Sequence, residues 1–459
     1  MQSGGITDII NKIPAAESRK KEKYMITALS LAQFIEKSPT AFHAVENIKG
    51  ALKDYTELSE TETWRLAPGR GYYVTRNMSS IIAFRIPAGK ADSFRIVAAH
   101  SDSPTFKIKE NAELAVKGKY TQLNVEKYGG MLFAPWFDRP LGVAGRVLVK
   151  TANGVESRLV DVNTWLVIPN VAIHMNREIN DGFKYNAQTD MMPLFGNGEA
   201  KGKFRAKVAE AANAAENDIV GSDLFLYPRV KAERVGCSGE YFMSPRLDDL
   251  ECAFCGLGAL VASKAPDTGV NMLCVFDNEE VGSGTKQGAD STFLYDVMQR
   301  IFIALGKTQE EMYRATAASF MLSADNAHAV HPNHPEKTDA ENCVYMNEGV
   351  VIKFNANQRY TTDGVSAAVF HKILDDAGIP YQHFANRSDM AGGGTLGNIS
   401  GSHVSINTVD IGVAQLAMHS CVETAGVEDV DHMLNAMRSF YDTRLAPDGK
   451  GGFTVRRVG

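Results

Sequence analysis

Asn271-Met-Leu-Cys-Val-Phe276-Asp277-Asn-Glu279-Glu280-Val-Gly282-Ser-Gly284 joins an apolar run to a cluster of acids. The run Met272 to Phe276 has the length of a buried strand. Asp277, Glu279 and Glu280 follow it, then two glycines. Acids this close repel one another, and a dry strand end carries them only when something cationic is bound there. In an open α/β sheet, ligands gather at the carboxyl ends of strands. The stretch therefore predicts a metal site in which one Glu is a ligand and the other a general base. A solvated acidic turn is the competing reading of these residues alone.

The same layout recurs twice. Phe94-Arg-Ile-Val-Ala-Ala-His100-Ser-Asp102-Ser-Pro104 is an apolar run ending in His-x-Asp, and Ser319-Phe-Met-Leu-Ser-Ala-Asp325 is another ending in an acid. Three hydrophobic runs thus deliver His, Asp or Glu at their C-terminal ends, and these are oxygen and nitrogen ligands that suit zinc.

A chain of 459 residues with 44% apolar content has enough material for two domains and a real core. Its net charge of −6 is mild, and no basic block tracks a phosphate backbone, which argues against nucleic acid. Six cysteines are too few for a disulfide scaffold. Cys252 and Cys255 lie in an apolar, helix-like stretch and read as buried thiols. The N-terminus shows no signal-peptide pattern, and no apolar stretch is long enough to span a membrane. A soluble, cytoplasmic protein is expected.

Residues 1 to about 23 read as a loose arm. Helices are expected over Met25–Lys37 and Ala44–Asp54, then strands over Tyr72–Val74 and Ile81–Ile86, and then the strand that ends at His100. From Thr105 to Ala232 the texture changes to short β-rich segments punctuated by Gly, Pro and Asn. Ala206–Asn217 is a polar helix or loop within it. This region is read as an inserted domain, since insertion at a surface loop is well tolerated. Domain boundaries of 1–104 plus 233–459 for the main body and 105–232 for the insert follow. After it come a helix (Leu247–Ser263), a strand (Met272–Phe276), a helix (Ser291–Leu305), strands (Ser319–Ala324, Val350–Phe354), a helix (Asp363–Ala377), a strand (His403–Ile411) and a last helix (Val427–Tyr441). This alternation predicts an α/β fold, a mainly parallel sheet with helices on both faces.

Three further residues stand out less clearly. Asp248 and Asp249 open a helix, where an acid is favoured by the dipole in any case. His419 sits near the end of the chain, where a lone His is usually just packed.

Six motifs occur together in this order: His100-Ser-Asp102-Ser-Pro104, Ala172-Ile-His174, Pro245-Arg-Leu-Asp248, Asp277-Asn-Glu-Glu-Val-Gly-Ser283, Ser323-Ala-Asp325-Asn-Ala-His-Ala-Val-His-Pro-Asn333 and Gln415-Leu-Ala-Met-His419-Ser420. The set resembles the aspartyl aminopeptidase family of di-zinc metallopeptidases, over nearly all of residues 25 to 445. The resemblance implies His100, Asp248, Glu280, Asp325 and His419 as ligands of two zinc ions, with Asp248 bridging. Manganese or cobalt can substitute in such a ligand set. It implies Glu279 as general base and Asp102 as the acid orienting His100. It also implies that the insert makes dimer contacts, that dimers build a tetrahedral dodecamer, and that His174 reaches a neighbouring active site. Peptides with an unblocked N-terminal Asp or Glu are the implied substrates. Lys353, which ends an apolar strand, matches a family Lys associated with the acidic side chain, and Tyr360 is expected to line that pocket. Asn357 stands where some relatives carry a second Lys.

Other features compete. His328, His331 and His334 lie three apart and could form a separate metal tract. Gly282-Ser-Gly-Thr-Lys286 does not meet the phosphate-loop spacing. Gly392-Gly-Gly-Thr395 suits close approach of backbone to substrate. The rival functions are a di-zinc deacylase, an aminopeptidase for neutral residues, and a catalytically silent assembly or cargo protein on the same fold.

Overall fold

The computed structural model describes residues 27–264 and 267–457. The arm expected over residues 1–23, and the start of the helix expected from Met25, lie outside the described residues. The main sheet is built around two strands, Thr268–Phe276 and Lys90–His100, which run parallel with Phe276 opposite His100. Their side chains alternate between two cores. Leu273, Val275, Val97 and Ala99 face one; Met272, Cys274, Phe276, Ile96 and Ala98 face the other. A strand that is apolar on both faces belongs in a sheet covered on both sides.

The sheet has nine strands, in the order Tyr55–Leu58, Gly71–Arg76, Ser80–Arg85, Thr268–Phe276, Lys90–His100, Phe320–Ala324, Asn407–Gly412, Val350–Phe354 and Tyr381–Ala385. Five of its eight pairings are parallel, and three are antiparallel. One face is covered by the helix over 27–36 and by Ala41–Ala51, Leu247–Ala262, Gly364–Ala377 and Val427–Tyr441. The other is covered by Phe293–Ala304, Gln309–Ala317 and Leu396–Gly401. In Val427–Tyr441, the residues Val430, Met433, Met437 and Phe440 recur at helical spacing and are fully buried. Each such side chain contributes roughly 1.5–3 kcal/mol. Asp363 caps Gly364–Ala377 by accepting from the Ser366 amide, and Gly378 ends it with a left-handed φ of 64°.

Residues 105–228 form a separate antiparallel sheet, in the order Gly154–Leu166, Leu141–Thr151, Ile219–Pro228, Thr105–Val116, Tyr120–Tyr128 and Leu194–Asn197. It has its own core, with Phe106, Leu123, Val143, Val162 and Leu224 at its centre and Phe204 and Val208 of the helix Phe204–Ala211 packed on it. The entry and exit of this segment touch: the Thr105 hydroxyl donates to the Leu226 carbonyl at 2.6 Å. A third sheet joins Glu233–Val235, Tyr241–Ser244, Glu423–Gly426, Ala414–Leu416 and Ala327–His328.

Some elements differ from the sequence reading. The strand expected over His403–Ile411 is Asn407–Gly412, because the helix Leu396–Gly401 and its turn occupy the residues before it. The polar helix expected over Ala206–Asn217 is Phe204–Ala211. Gln309–Ala317 was not expected, although Thr308 and Glu311 form a capping box at its start.

His43 lies in Ala41–Ala51, with Nδ1 2.9 Å from the Thr40 hydroxyl. Burial pushes its pKa down to about 4, against the pull of Asp161 and with the help of Arg246. The imidazole is therefore neutral in the fold, and the unfolded chain takes the proton first as pH falls. Stability from this group is fully present above the ordinary pKa of 6.5 and is lost as pH falls towards 4, by about 3 kcal/mol at most. The thermal midpoint of wild type is expected to drop more steeply than that of His43→Gln across this window. Parallel curves for the two proteins would contradict the assignment.

Candidate metal centre and active site

The candidate ligands sit at or beside the ends of regular elements. His100 is the last residue of Lys90–His100. Asp325 directly follows Phe320–Ala324. Glu279 and Glu280 lie in the single turn Glu279–Val281, just past the end of Thr268–Phe276. Asp248 is in the first turn of Leu247–Ala262, where the backbones of Asp248 and Asp249 are not helical. The carboxylate of Asp248 is thereby turned towards two imidazoles instead of serving as a simple cap. Its Oδ1 is 3.3 Å from His100 Nε2 and its Oδ2 is 3.3 Å from His419 Nε2. His419 comes from the loop after Ala414–Leu416, and its Nε2 is also 3.4 Å from Glu280 Oε2.

Ligand atoms within 4.8 Å of one another form three sets: His100 with Asp248 and Asp325; Asp248 with Glu280 and His419; His100 with Glu279 and Glu280. Asp248 belongs to the first two. His328, His331 and His334 are in none of these sets; they line a cavity of about 400 Å³ together with Lys337, Arg387 and Gly392. Cys252 and Cys255 are buried and free, as the sequence suggested.

Carboxylates dominate the site. Burial, reinforced by neighbouring carboxylates, pushes Glu279 up to about 7 and holds Glu280 well above the ordinary carboxylate range. Asp325 is raised by burial too, with Lys353 pulling the other way. Burial also works against charge on Asp248, but the neighbouring imidazoles of His100 and His419 outweigh it and hold its pKa low. Asp248 Oδ1 and Glu280 Oε1 are buried and make no hydrogen bond. Leaving such oxygens bare costs a few kcal/mol each. A divalent cation removes both penalties, and the mixed imidazole and carboxylate set is the donor chemistry of zinc.

Asp102 is buried beside this set. Its Oδ1 is 3.4 Å from His100 Nδ1, and its carboxylate accepts from the amides of Glu279 and Glu280 at 3.1 and 3.2 Å. Lys353 is also buried, with Nζ donating to the carbonyls of Asp325 at 2.8 Å and Asn326 at 3.4 Å. Burial opposes its charge, but Asp325, Tyr360 and Asp410 outweigh that and raise its pKa. The ring of Tyr360 lies 5.1 Å from Nζ. Arg359 and Asn357 are exposed in the following loop. His174 is exposed in the turn Ile173–Met175, next to exposed Val171, Ile173 and Met175. It is not among the residues gathered at the metal centre.

Sequence reasoning missed three supports. Glu423 accepts from the amides of both Asp248, at 3.0 Å, and His419, at 2.8 Å. Tyr128 donates its hydroxyl to Asp102 Oδ2 at 2.6 Å, and Asn278 donates to that hydroxyl at 2.9 Å. No periodicity marks Glu423. Tyr128 precedes Gly129-Gly130, a local signal for close approach of the backbone.

A family profile described as Aminopeptidase I zinc metalloprotease (M18) matches residues 34–441. The chain belongs to the M18 aminopeptidase family. A probable M18 family aminopeptidase 2 of Clostridium novyi is 45% identical over 426 residues, covering 90% of this chain and 98% of the relative. A chain in the cryo-EM structure of the Ape4 and Nbr1 complex superposes with a TM-score of 0.88 at 36% identity, over 93% of this chain and 87% of that one. The S. cerevisiae mApe1 dodecamer gives 0.80 at 27% identity, over 92% and 97%. This M18 chain is thus a zinc-dependent aminopeptidase, a hydrolase of peptides.

Exhaustive chelation of the M18 enzyme is expected to abolish hydrolysis of aminoacyl chromogenic substrates, and added zinc to restore it. Full activity in protein shown to be metal-free would contradict a metal role for the cluster.

Proposed function

We propose that this chain removes N-terminal Asp or Glu from peptides, using two zinc ions. His100, Asp248 and Asp325 would hold one ion and Asp248, Glu280 and His419 the other; the two sets share Asp248. When bound, the ions polarise the scissile carbonyl and make a water nucleophilic at neutral pH. Glu279 takes the proton of that water as its oxygen bonds to the carbonyl carbon. The same proton passes to the amine nitrogen as the C–N bond breaks. Asp102 keeps the Glu279–Glu280 turn in place by accepting from both amides. Glu279→Gln is expected to lower kcat by about a hundredfold or more while zinc content stays near wild type. Glu280→Gln is expected to lower zinc content as well. The opposite pattern would exchange the two roles.

The acidic preference rests on one observation: a cationic Lys353 buried against the backbone of Asp325. An acidic side chain needs such a cation in a partly dry pocket, since a buried unpaired carboxylate is costly. Two of the three Nζ donors are engaged with carbonyls, which leaves one for a substrate oxygen. Tyr360 and Phe384, with rings 6.4 Å apart, extend the wall from there. The likeness to a dodecameric relative and the exposed apolar residues around His174 support assembly through the 105–232 insert, with dimers building a tetrahedral dodecamer. His174 then serves a neighbouring active site and stabilises the oxyanion. A cytoplasmic location suits this reading.

A panel of N-terminal residues tests the specificity. Acidic residues are expected to beat leucine and lysine in kcat/KM. Lys353→Met should remove that advantage, by about 2 to 5 kcal/mol of transition-state binding. A wild-type preference for leucine, or an acidic preference that survives in the variant, would place the pocket elsewhere.

A further inference from the structure

The residues that follow the strand Tyr120–Tyr128 reach across to the metal centre. Tyr128 ends that strand, and its ring packs edge-on against Phe225 of Ile219–Pro228, with centroids 5.7 Å apart. Its side chain is therefore fixed by the six-stranded sheet. Its hydroxyl is fixed by the catalytic side: it donates to Asp102 Oδ2 at 2.6 Å and accepts from Asn278 Nδ2 at 2.9 Å. Asn278 Oδ1 in turn accepts from Thr285 and Gln287, at 2.8 and 2.7 Å. Gly129 comes next, with φ of 78°, and a Cβ added there would sit 3.1 Å from Glu280 Cβ. The backbone thus lies against Glu280 too closely for a side chain. Three residues on, the Leu132 amide donates to the His419 carbonyl at 3.1 Å.

One short segment of the insert therefore touches both turns that carry Glu279, Glu280 and His419. Asp102 has a single carboxylate to hold two amides and face His100. Without the Tyr128 hydroxyl, Oδ2 keeps only the Glu280 amide as donor, so the carboxylate and the turn it anchors are held less tightly. Peptide hydrolysis is sensitive to small displacements of the group that handles the proton.

We propose that Tyr128 is a positioning residue for the hydrolytic reaction: it sets the Glu279–Glu280 turn through Asp102 and so ties the placement of the insert to catalysis. The inference rests on the reading that this turn carries the general base. It gives the insert a role in chemistry within its own subunit, beyond contacts between subunits.

The test is Tyr128→Phe in the full-length, zinc-loaded enzyme. The ring and its packing on Phe225 are kept, and only the hydroxyl is lost. We expect kcat to fall between about tenfold and about a hundredfold, with KM, zinc content, assembly state and thermal midpoint near wild type. An unchanged kcat would overturn the proposal. A loss of kcat that tracks a loss of zinc or a lowered thermal midpoint would overturn it as well, since that pattern belongs to a general structural role. Glu279→Gln measured in parallel separates the two readings. If that variant is inactive while Tyr128→Phe is normal, only the positioning role fails. If it stays active, the assignment of the base fails, and the Tyr128→Phe kcat is then judged on the alignment of Glu280 alone by the same criteria.

Discussion

Buried carboxylates crowded around Asp248 cannot all ionise without positive charge in their midst. The rest of the molecule is arranged to bring them to that point and keep them there. Parallel strands supply the ends, since neighbouring strands that run the same way expose their last residues on one edge. The antiparallel pairing of Ser80–Arg85 and Val350–Phe354 against their inner neighbours lies outside the central group that delivers the ligands. A second tier of acids holds the backbone instead of facing the cluster. Glu423 fastens the amides of Asp248 and His419, and Asp102 fastens those of Glu279 and Glu280. These acids are as buried as most of the candidate ligands, and backbone donors satisfy them.

Much of this could be read from the chain. The C-terminal halves of Lys90–His100 and Thr268–Phe276 are apolar on both faces, so Ile96–Ala99 and Met272–Phe276 show as short hydrophobic runs, and the His and acids after them stand out by contrast. Lys353 was legible for the same reason, as a charge where the pattern calls for a buried side chain. His419 and Asp248 were not distinguishable from packing and capping by pattern alone; only the resemblance of the ordered motifs raised them. The supports escaped because their partners lie far away in the sequence. Tyr128 and Asp102 are 26 residues apart, and Glu423 lies 175 residues from Asp248. The edge strand Tyr381–Ala385 escaped because it is only half-buried, and its alternation is weak.

Lys353 shows how one residue can belong to both fold and site. Its ammonium group caps the carbonyls of Asp325 and Asn326, and it places positive charge beside the carboxylates of Asp325 and Asp410. Removing it would therefore loosen the backbone of Asp325 as well as take away the proposed substrate contact, and the two effects separate only when specificity is compared across substrates.

The contact between Thr105 and Leu226 bears on how the chain folds. Residues 105–228 leave and re-enter the main body through neighbouring strands, so that segment can close on itself before the larger sheet exists. Once it has, His100 and Asp248 are separated by a short effective tether instead of a long excursion, and the entropy of bringing them together falls accordingly. Most of the sequence distance between the two residues is then spanned by structure formed locally, and the nine-stranded sheet can assemble as if the chain were more than a hundred residues shorter.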